Sequence, residues 1–248
     1  MEGQMVVPSF LLTLSATVFT CLTHAAPLAT IDAITFADQP NRLYLPMRDV
    51  SHMLRWQIGR NAAGLTLHGH SVPMSTLRST QMGARLIAVS WLSKAGAIVN
   101  SNSKTGLTTV KDAKRVGRAF YVRRGMKRVF VNKKTQMMVA FQGRRTVFRS
   151  KVSTGREGKN TPSGIFRADG QKEKVHLSHL YANVPLPWAV HIVGNIFIHG
   201  YGASAGHSSH GCIRLPMSGG NPARWFYYWV ERGTPVTILG KWPAGARR

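Results

Sequence analysis

Short stretches of alternating apolar and polar residues, separated by turn residues, run through the second half of the chain. Val129 and Val131, for example, alternate with residues that face the other way, which is the period of a half-buried strand. The pattern predicts one strand beginning at Lys127, one over 136–141 and one over 146–152, with turns at 132–134 and 142–144. A meander of such short segments predicts that this half of the chain is mainly β.

One helix interrupts this pattern near the end of the chain. Asn221 can cap a helix and Pro222 suits its first turn, while Gly233 is a typical end. The expected apolar stripe consists of Trp225, Phe226, Trp229 and Val230. Before this helix, the apolar run Ile192–Ile198 predicts a strand that ends at His199, and after it 235–239 predicts a last strand.

The first half of the chain contains two similar segments, 42–67 and 85–108. Each predicts a strand, one or two helical turns and a hairpin, and Gly-Leu-Thr recurs at 64–66 and 106–108. Through Leu45-Pro46-Met47-Arg48 this region resembles the copper-amine-oxidase N-terminal-like repeat of secreted bacterial proteins. The resemblance implies no copper site, and it suggests a spacer or an envelope anchor.

Positive charge separates this chain from ordinary cytosolic enzymes. Its 248 residues include 33 Lys and Arg against 9 Asp and Glu, a formal net charge of +24. Much of that charge lies between Lys111 and Lys174. Such a chain favours anionic surroundings. Because no nucleic-acid-binding motif is present, we expect an anionic wall or membrane surface and no nucleic acid.

The N-terminus is typical of a secretion signal. Residues 6–22 are mostly apolar, and Thr23-His24-Ala25 favours cleavage before Ala26. A retained membrane anchor is the alternative. Cleavage would place the protein in the periplasm or cell wall and would remove Cys21. Cys212 would then be the one thiol, which is either reactive or buried and inert.

The residues around Cys212 favour a reactive thiol. His199 is expected at a strand end and Cys212 after a Gly-rich loop, so the two can meet. A histidine can take the thiol proton, and the resulting imidazolium stabilises the thiolate. Because 175–230 contains no Asp or Glu, a backbone carbonyl is expected to orient the imidazole. Zinc binding by His199, His207, His210 and Cys212 is the less favoured interpretation.

His199-Gly200 followed by Ser209-His210-Gly211-Cys212-Ile213-Arg214 resembles the signature of the L,D-transpeptidase catalytic domain of the YkuD-type family. Supporting matches are Ser153-Thr154-Gly155, Thr161-Pro162-Ser163-Gly164, Pro187-Trp188 and Gly233-Thr234-Pro235-Val236. The predicted fold is mainly β: a mixed, β-sandwich-like catalytic domain with one main helix, after a small α+β repeat domain. The predicted segments are a signal peptide at 1–25, a linker at 26–40, the repeat module at 41–111, a basic linker at 112–125, the catalytic domain at 126–240 and a tail at 241–248.

The resemblance implies a role for each residue of the signature. Cys212 is the nucleophile, His199 the general base and acid, and His210 contributes its ring or its backbone. The N–H groups of Gly211 and Cys212 form the oxyanion site. The implied substrate-binding residues are Ser209, Arg214, Trp188 and Gly200. Trp188 can equally be a packing residue, and His191 and His207 are expected to be non-catalytic because no partner lies nearby in sequence. No cofactor or metal is implied.

The implied reaction is acyl transfer on peptidoglycan stem peptides. A thioester on Cys212 forms as a terminal D-Ala leaves, and an acceptor amine resolves it. Water as acceptor would make the enzyme an L,D-carboxypeptidase. A basic envelope-binding protein with an inactive catalytic domain is the alternative from another class. The acceptor, the diamino acid and the oligomeric state stay open.

Overall fold

The computed structural model of the chain describes residues 28–202 and 207–240. The predicted signal peptide, with Cys21, and the predicted tail lie outside these residues. Within them, no helix is long and apolar enough to cross a membrane.

The described residues contain nineteen strands, two α-helices and three 3-10 helices. The strands of the first half are β1 Thr30–Phe36, β2 Gln39–Pro46, β3 Ile58–Asn61, β4 Gly64–Leu67, β5 His70–Ser71, β6 Leu77–Ser79, β7 Arg85–Ala88, β8 Ala97–Asn102, β9 Leu107–Asp112 and β10 Ala119–Arg124. Those of the second half are β11 Lys127–Asn132, β12 Met137–Gln142, β13 Arg145–Lys151, β14 Gly164–Arg167, β15 Lys172–Ser178, β16 Val184–Val193, β17 Ile196–Tyr201, β18 Ile213–Pro216 and β19 Pro235–Leu239. The helices are α1 Met47–Leu54, α2 Pro222–Trp229 and the 3-10 helices Met74–Thr76, Val89–Ala95 and His179–Tyr181. The prediction of a mainly β protein is confirmed.

The strands form four sheets. In the first half, seven strands are ordered β6-β7-β2-β1-β10-β9-β8, and β3-β4-β5 form a small separate sheet. In the second half, a five-stranded sheet has the order β13-β12-β11-β19-β14 and a four-stranded sheet has the order β15-β16-β17-β18. Helix α2 packs on β16, β17 and β18. Isolated bridges Ser153–Arg214 and Gly155–Ser209 connect the loop after β13 to the segment around β18.

The strand, helical turn and hairpin predicted for each N-terminal repeat are present in both copies. The first copy is β2, α1 and the hairpin β3–β4, and the second is β7, the 3-10 helix Val89–Ala95 and the hairpin β8–β9. Strands β2 and β7 pair with each other antiparallel, with Tyr44 opposite Ala88. The first strands of the two copies therefore share one sheet, whereas the hairpin β3–β4 lies in the small separate sheet.

Both predicted linkers are wrong in part, because each contains a strand. Strand β1 lies within 26–40 and strand β10 within 112–125. The two strands pair in parallel, with Thr30 opposite Tyr121 and Ala33 opposite Arg124. Phe120 and Val122 of β10 are buried and alternate with the half-buried Ala119 and Tyr121. Arginines flank this short alternation on both sides, so the segment resembled a charged linker.

Two predictions in the second half need correction. Helix α2 begins after Asn221, whose side chain accepts the Arg224 N–H as predicted, but it ends at Trp229 instead of Gly233. Two lysines bond to the carbonyls at its end. Lys127 Nζ donates to Trp229 O at 2.5 Å, and Lys172 Nζ donates to Val230 O at 3.0 Å. The apolar run at 192–198 is not one strand, because a turn at Gly194–Asn195 separates β16 from β17.

The two halves share one continuous hydrophobic core. Phe36 of β1 lies 5.9 Å from Trp225 of α2, edge to face, and Trp225 Nε1 donates to Ser79 O across the same junction. Glu231 lies beside them and accepts from Lys127 and Arg124, both at 2.7 Å. The junction therefore combines aromatic packing with a partly buried ion-pair cluster.

We expect Phe36→Ala to destabilise both halves together. Truncating this side chain, which is 1% exposed, removes buried aromatic contacts with Tyr44 and Trp225, and it should lower the free energy of unfolding by about 3–5 kcal/mol. Denaturant unfolding followed by fluorescence and by Cys212 labelling should give one coincident transition, shifted in both probes. Met126→Ala, at a side chain 78% exposed, is the control. Two transitions, of which only one moves, would contradict the shared core.

Candidate active site

Parallel pairing of β17 with β18 brings the predicted catalytic residues together. Ile198 lies opposite Ile213 and His199 opposite Arg214, and Cys212 directly precedes β18. His199, His210, Cys212 and Arg214 all line a cavity of about 440 Å³, which we call the catalytic cavity. The structure thus places the predicted base and nucleophile on one wall.

His199 has the hydrogen bond that the sequence predicts. Its ring is buried and its Nδ1 donates to the Gly200 carbonyl at 2.8 Å. Since the carbonyl can only accept, the proton is on Nδ1 and Nε2 is free of its proton, as a general base requires. The pKa of His199 is lowered to about 4: burial is the main cause, the bond to the Gly200 carbonyl opposes it, and the charges of Arg214 and His176 add to it.

The Cys212 sulfur lies against the turn between β16 and β17. The Phe197 N–H donates to Sγ at 3.5 Å, and Sγ–H donates to the Asn195 carbonyl at 3.6 Å. Burial raises the pKa of the Cys212 thiol, although the Phe197 N–H and the charge of Arg214 lower it. Burial therefore disfavours the charged form of both the thiol and the imidazole, which opposes the expected thiolate–imidazolium pair.

His210 lies on the cavity wall with its ring oriented by a neighbour. Arg156 Nη2 donates to His210 Nε2 at 3.0 Å, and the Tyr181 ring lies 4.6 Å from the imidazole. Partial burial lowers the pKa of His210, as do the charges of Arg156, Arg214 and Lys159. Because Nε2 accepts a hydrogen bond, the imidazole is neutral and carries its proton on Nδ1.

Both the backbone conformation at position 211 and the close approach of Ile196 require a glycine there. Its φ is +119°, which side chains rarely adopt, and an added Cβ would lie 2.9 Å from Ile196 Cδ1. Its N–H, however, donates to Ser209 Oγ at 3.0 Å. The predicted oxyanion site thus needs correction: the Gly211 N–H is already used inside the loop, and the Cys212 N–H is the remaining donor of the predicted pair.

Three of the predicted substrate-binding residues do not line the described walls of the catalytic cavity. Ser209 is fully buried and donates through Oγ to the Cys212 carbonyl at 2.5 Å, so it fixes the loop. Gly200 acts through its carbonyl, and an added Cβ would lie 2.9 Å from Met217 Cγ. Trp188 packs on helix α2, 5.6 Å from the ring of Tyr227. A place in the motif therefore does not distinguish a residue that faces the cavity from one that supports its loops.

Arg214 is the predicted binding residue that does reach the cavity. Its guanidinium lies 4.0 Å from the centre of the Tyr201 ring, and its Nη1 donates to Ser208 O at 3.2 Å. Among the described residues, its buried Nε has no hydrogen-bond partner. An anionic ligand in the cavity would meet this cation.

The four residues considered as zinc ligands do not converge. His207 lies outside the described cavity walls, where its Nδ1 is 3.2 Å from Thr154 Oγ1. Across 28–202 and 207–240, no group of three or more His, Cys, Asp or Glu side chains is placed to hold a metal ion.

Residues 126–238 match the family model of the L,D-transpeptidase catalytic domain, YkuD. The match lies entirely within the second half of the chain. Its start coincides with the predicted boundary. The resemblance predicted for the catalytic half is confirmed, and no comparison supports the one predicted for the repeat module. No curated protein matches the chain.

Solved L,D-transpeptidases are similar to the chain at low identity. One from Stackebrandtia nassauensis is 26% identical, with a TM-score of 0.43, over 48% of this chain and 58% of that one. One from Mycobacterium smegmatis is 16% identical, with a TM-score of 0.41, over 88% of this chain and 96% of that one. The catalytic domain of the E. faecium enzyme is 22% identical, with a TM-score of 0.37, over 46% and 96%.

Sequence reasoning missed the residues that surround the sulfur of this L,D-transpeptidase domain. Asn195 and Phe197 contact Cys212 through backbone atoms, so no side-chain signal marks them. His191 was expected to lack a partner, but its Nδ1 bonds to the Asp169 carboxylate and its Nε2 to Gly194 O at 2.6 Å. The Gly194-Asn195 pair, a common turn signal, could have revealed the hairpin.

We expect the Cys212 thiol to react slowly at mildly acidic pH. Because burial raises its pKa and lowers that of His199 to about 4, neither group is charged near pH 6. Alkylation should rise with pH and should still be rising above the ordinary cysteine range of about 8–9. Iodoacetamide labelling, with Cys212 resolved from Cys21 by peptide mass spectrometry, measures this. A fast plateau at pH 5–6 would show a preformed ion pair.

We expect Gly211→Ala to damage the site more than an ordinary glycine substitution. The added Cβ would press on Ile196 in the turn region that contacts the sulfur, and we expect a loss of about 1–3 kcal/mol in the free energy of unfolding and slower labelling of Cys212. Gly219→Ala is the matched control, because its φ of +61° is also positive but nothing lies within 4 Å of the added Cβ. Equal losses in both variants would remove the steric explanation.

Proposed function

We propose that the catalytic domain is a cysteine L,D-transpeptidase that acts on peptidoglycan stem peptides. The observation that carries the proposal is the placement of His199 and Cys212 on one cavity wall, with Nδ1 of His199 bound to the Gly200 carbonyl. This leaves Nε2 as the acceptor for a proton. Membership of residues 126–238 in the L,D-transpeptidase family supports the same chemistry.

In the proposed acylation, Cys212 transfers its proton to His199 Nε2 as Sγ attacks the carbonyl at the L-centre of the diamino acid. The oxyanion accepts a hydrogen bond from the Cys212 N–H. When the C–N bond breaks, His199 returns the proton to the amine of the leaving D-Ala, and a thioester remains. Because both groups start neutral, the proton moves together with attack, and the charge pair exists only along the reaction path.

Deacylation reverses these roles. An acceptor amine attacks the thioester carbonyl and loses a proton to His199, and Cys212 recovers its thiol as the new amide forms. The products are a cross-linked peptide and free enzyme. Water in place of the amine gives the shortened stem peptide, which is the L,D-carboxypeptidase alternative. The choice depends on which acceptor reaches the thioester first.

The charge around the cavity fits a substrate that carries free carboxylates. Arg156, Lys159 and Arg214 all act on His210, and none of them forms an ion pair with a described carboxylate. Uncompensated guanidinium groups bind carboxylates through paired hydrogen bonds. In this proposal Arg214, with its unpartnered Nε, holds a stem carboxylate beside Cys212.

Export is part of the proposal because the substrate is outside the cytoplasm. A cleaved signal at 1–25 would deliver the protein to the periplasm or cell wall, and the net charge of +24 would favour an anionic envelope surface. The repeat module would then serve as a spacer or anchor. A basic binding protein without activity is the alternative, and the intact His199–Cys212 arrangement weighs against it.

Incubation with a disaccharide-tetrapeptide, followed by mass spectrometry, tests the reaction. We expect dimers joined between third residues, with loss of D-Ala, and no product from Cys212→Ala. Tripeptide alone would make the enzyme a carboxypeptidase under these conditions. Turnover by Cys212→Ala would refute the thioester mechanism, and absence of any product from the native chain would leave the binding-protein alternative.

A further inference from the structure

The sulfur of Cys212 depends on a short turn for both of its polar contacts. Gly194 and Asn195 connect β16 to β17, and Asn195 O and Phe197 N contact Sγ from that segment. The Phe197 N–H stabilises a thiolate, because a donor strengthens its bond when the acceptor gains charge. The position of this turn therefore affects the reactivity of the thiol.

A histidine and a carboxylate hold the turn. His191 donates from Nδ1 to the Asp169 carboxylate and from Nε2 to the Gly194 carbonyl at 2.6 Å. Both partners are acceptors, so this bridge uses each ring nitrogen as a donor. A ring bonded on both sides to fixed acceptors is constrained in orientation.

Asp169 is itself held in place. The Gln171 N–H donates to its Oδ1 at 2.9 Å. The preceding residue, Ala168, exchanges backbone hydrogen bonds with Gly233 and Thr234, which anchors the segment beside the start of β19. Partial burial raises the pKa of Asp169, but the bonds from Gln171 and His191 lower it more, so the carboxylate stays ionised. The chain of contacts thus runs from this anchored segment through Asp169 and His191 to Gly194.

Among the described residues, Asp169 is the one carboxylate that pairs with His191. Its ring lies 4.9 Å from the Phe197 ring, edge to face. His176 stacks on the same Phe197 at 4.4 Å, and its Nδ1 is 2.9 Å from Glu173 Oε1. Two histidines of the cavity wall, His176 and His191, are each bonded to a carboxylate outside the described lining, and His191 also bonds to the turn.

We infer that Asp169 and His191 are positioning residues, which hold the Gly194–Asn195 turn so that Phe197 N–H and Asn195 O contact the Cys212 sulfur. Neither residue touches the sulfur. Their effect on turnover rests on the proposed function, but their effect on the thiol does not. The pair would set the reactivity of Cys212 before any substrate binds.

Alkylation of Cys212 in the full chain tests the inference without substrate. Asp169→Asn keeps the shape of the side chain and removes its charge, and His191→Gln removes the two-sided bridge. We expect each to lower the Cys212 labelling rate at pH 8 about tenfold and to move the rate profile to higher pH, as loss of one hydrogen bond to a charged group implies. Glu173→Gln, at the other carboxylate–histidine pair, is the matched control and should leave the profile within about twofold of the native one.

Two further measurements keep the test decisive. Nitrogen NMR of the native protein at pH 7 should show protons on both ring nitrogens of His191, and a single protonated nitrogen would overturn the bridge. Thermal unfolding identifies a variant that fails to fold. If His191→Gln fails, the labelling rate of the isosteric Asp169→Asn variant tests the inference. A folded Asp169→Asn with native labelling would refute the positioning role. If the variants show the expected labelling pattern but the native chain has no transpeptidase activity, the proposed function is refuted and the positioning role stands.

Discussion

The parallel pairing of β17 with β18 is the constraint on which the rest of the catalytic domain depends. Parallel neighbours require a crossover, and here the chain leaves β17 after Tyr201 and returns at Ile213. The bridges Ser153–Arg214 and Gly155–Ser209 attach the returning segment to the loop after β13. Because both strands are fixed, His199 near the end of β17 and Cys212 directly before β18 line the same cavity.

Burial determines how this pair can react. A site open to water would favour separated charges, whereas the wall that holds His199 disfavours them and lowers its pKa to about 4. Nearby cations add to this effect: Arg156 and Arg214 both lower the pKa of His210, which lines the same cavity.

The N-terminal half contributes to the same folded unit. Strand β1 pairs with β10 and contacts helix α2, and Trp225 of that helix packs on Phe36 of β1. Helix α2 packs in turn on the sheet that contains β17 and β18. The first half of the chain therefore supports this sheet through α2.

Local patterns in the sequence determined the mainly β character, the strands near Val129 and Pro235 and the capped start of α2, because each depends on neighbouring residues. They also marked His199 and Cys212 as the candidate base and nucleophile. The absence of nearby acids even predicted the carbonyl that orients His199. Only the tertiary structure decided how long-range neighbours change these groups. Lys127 donates to the carbonyl of Trp229, the last residue of α2. The Gly211 N–H donates to Ser209 Oγ, and Asp169 is the partner that the sequence around His191 lacks. Burial of His199 and Cys212 shifts the pKa values of both groups. This burial results from the packing of several segments, so no single segment of the sequence predicts it.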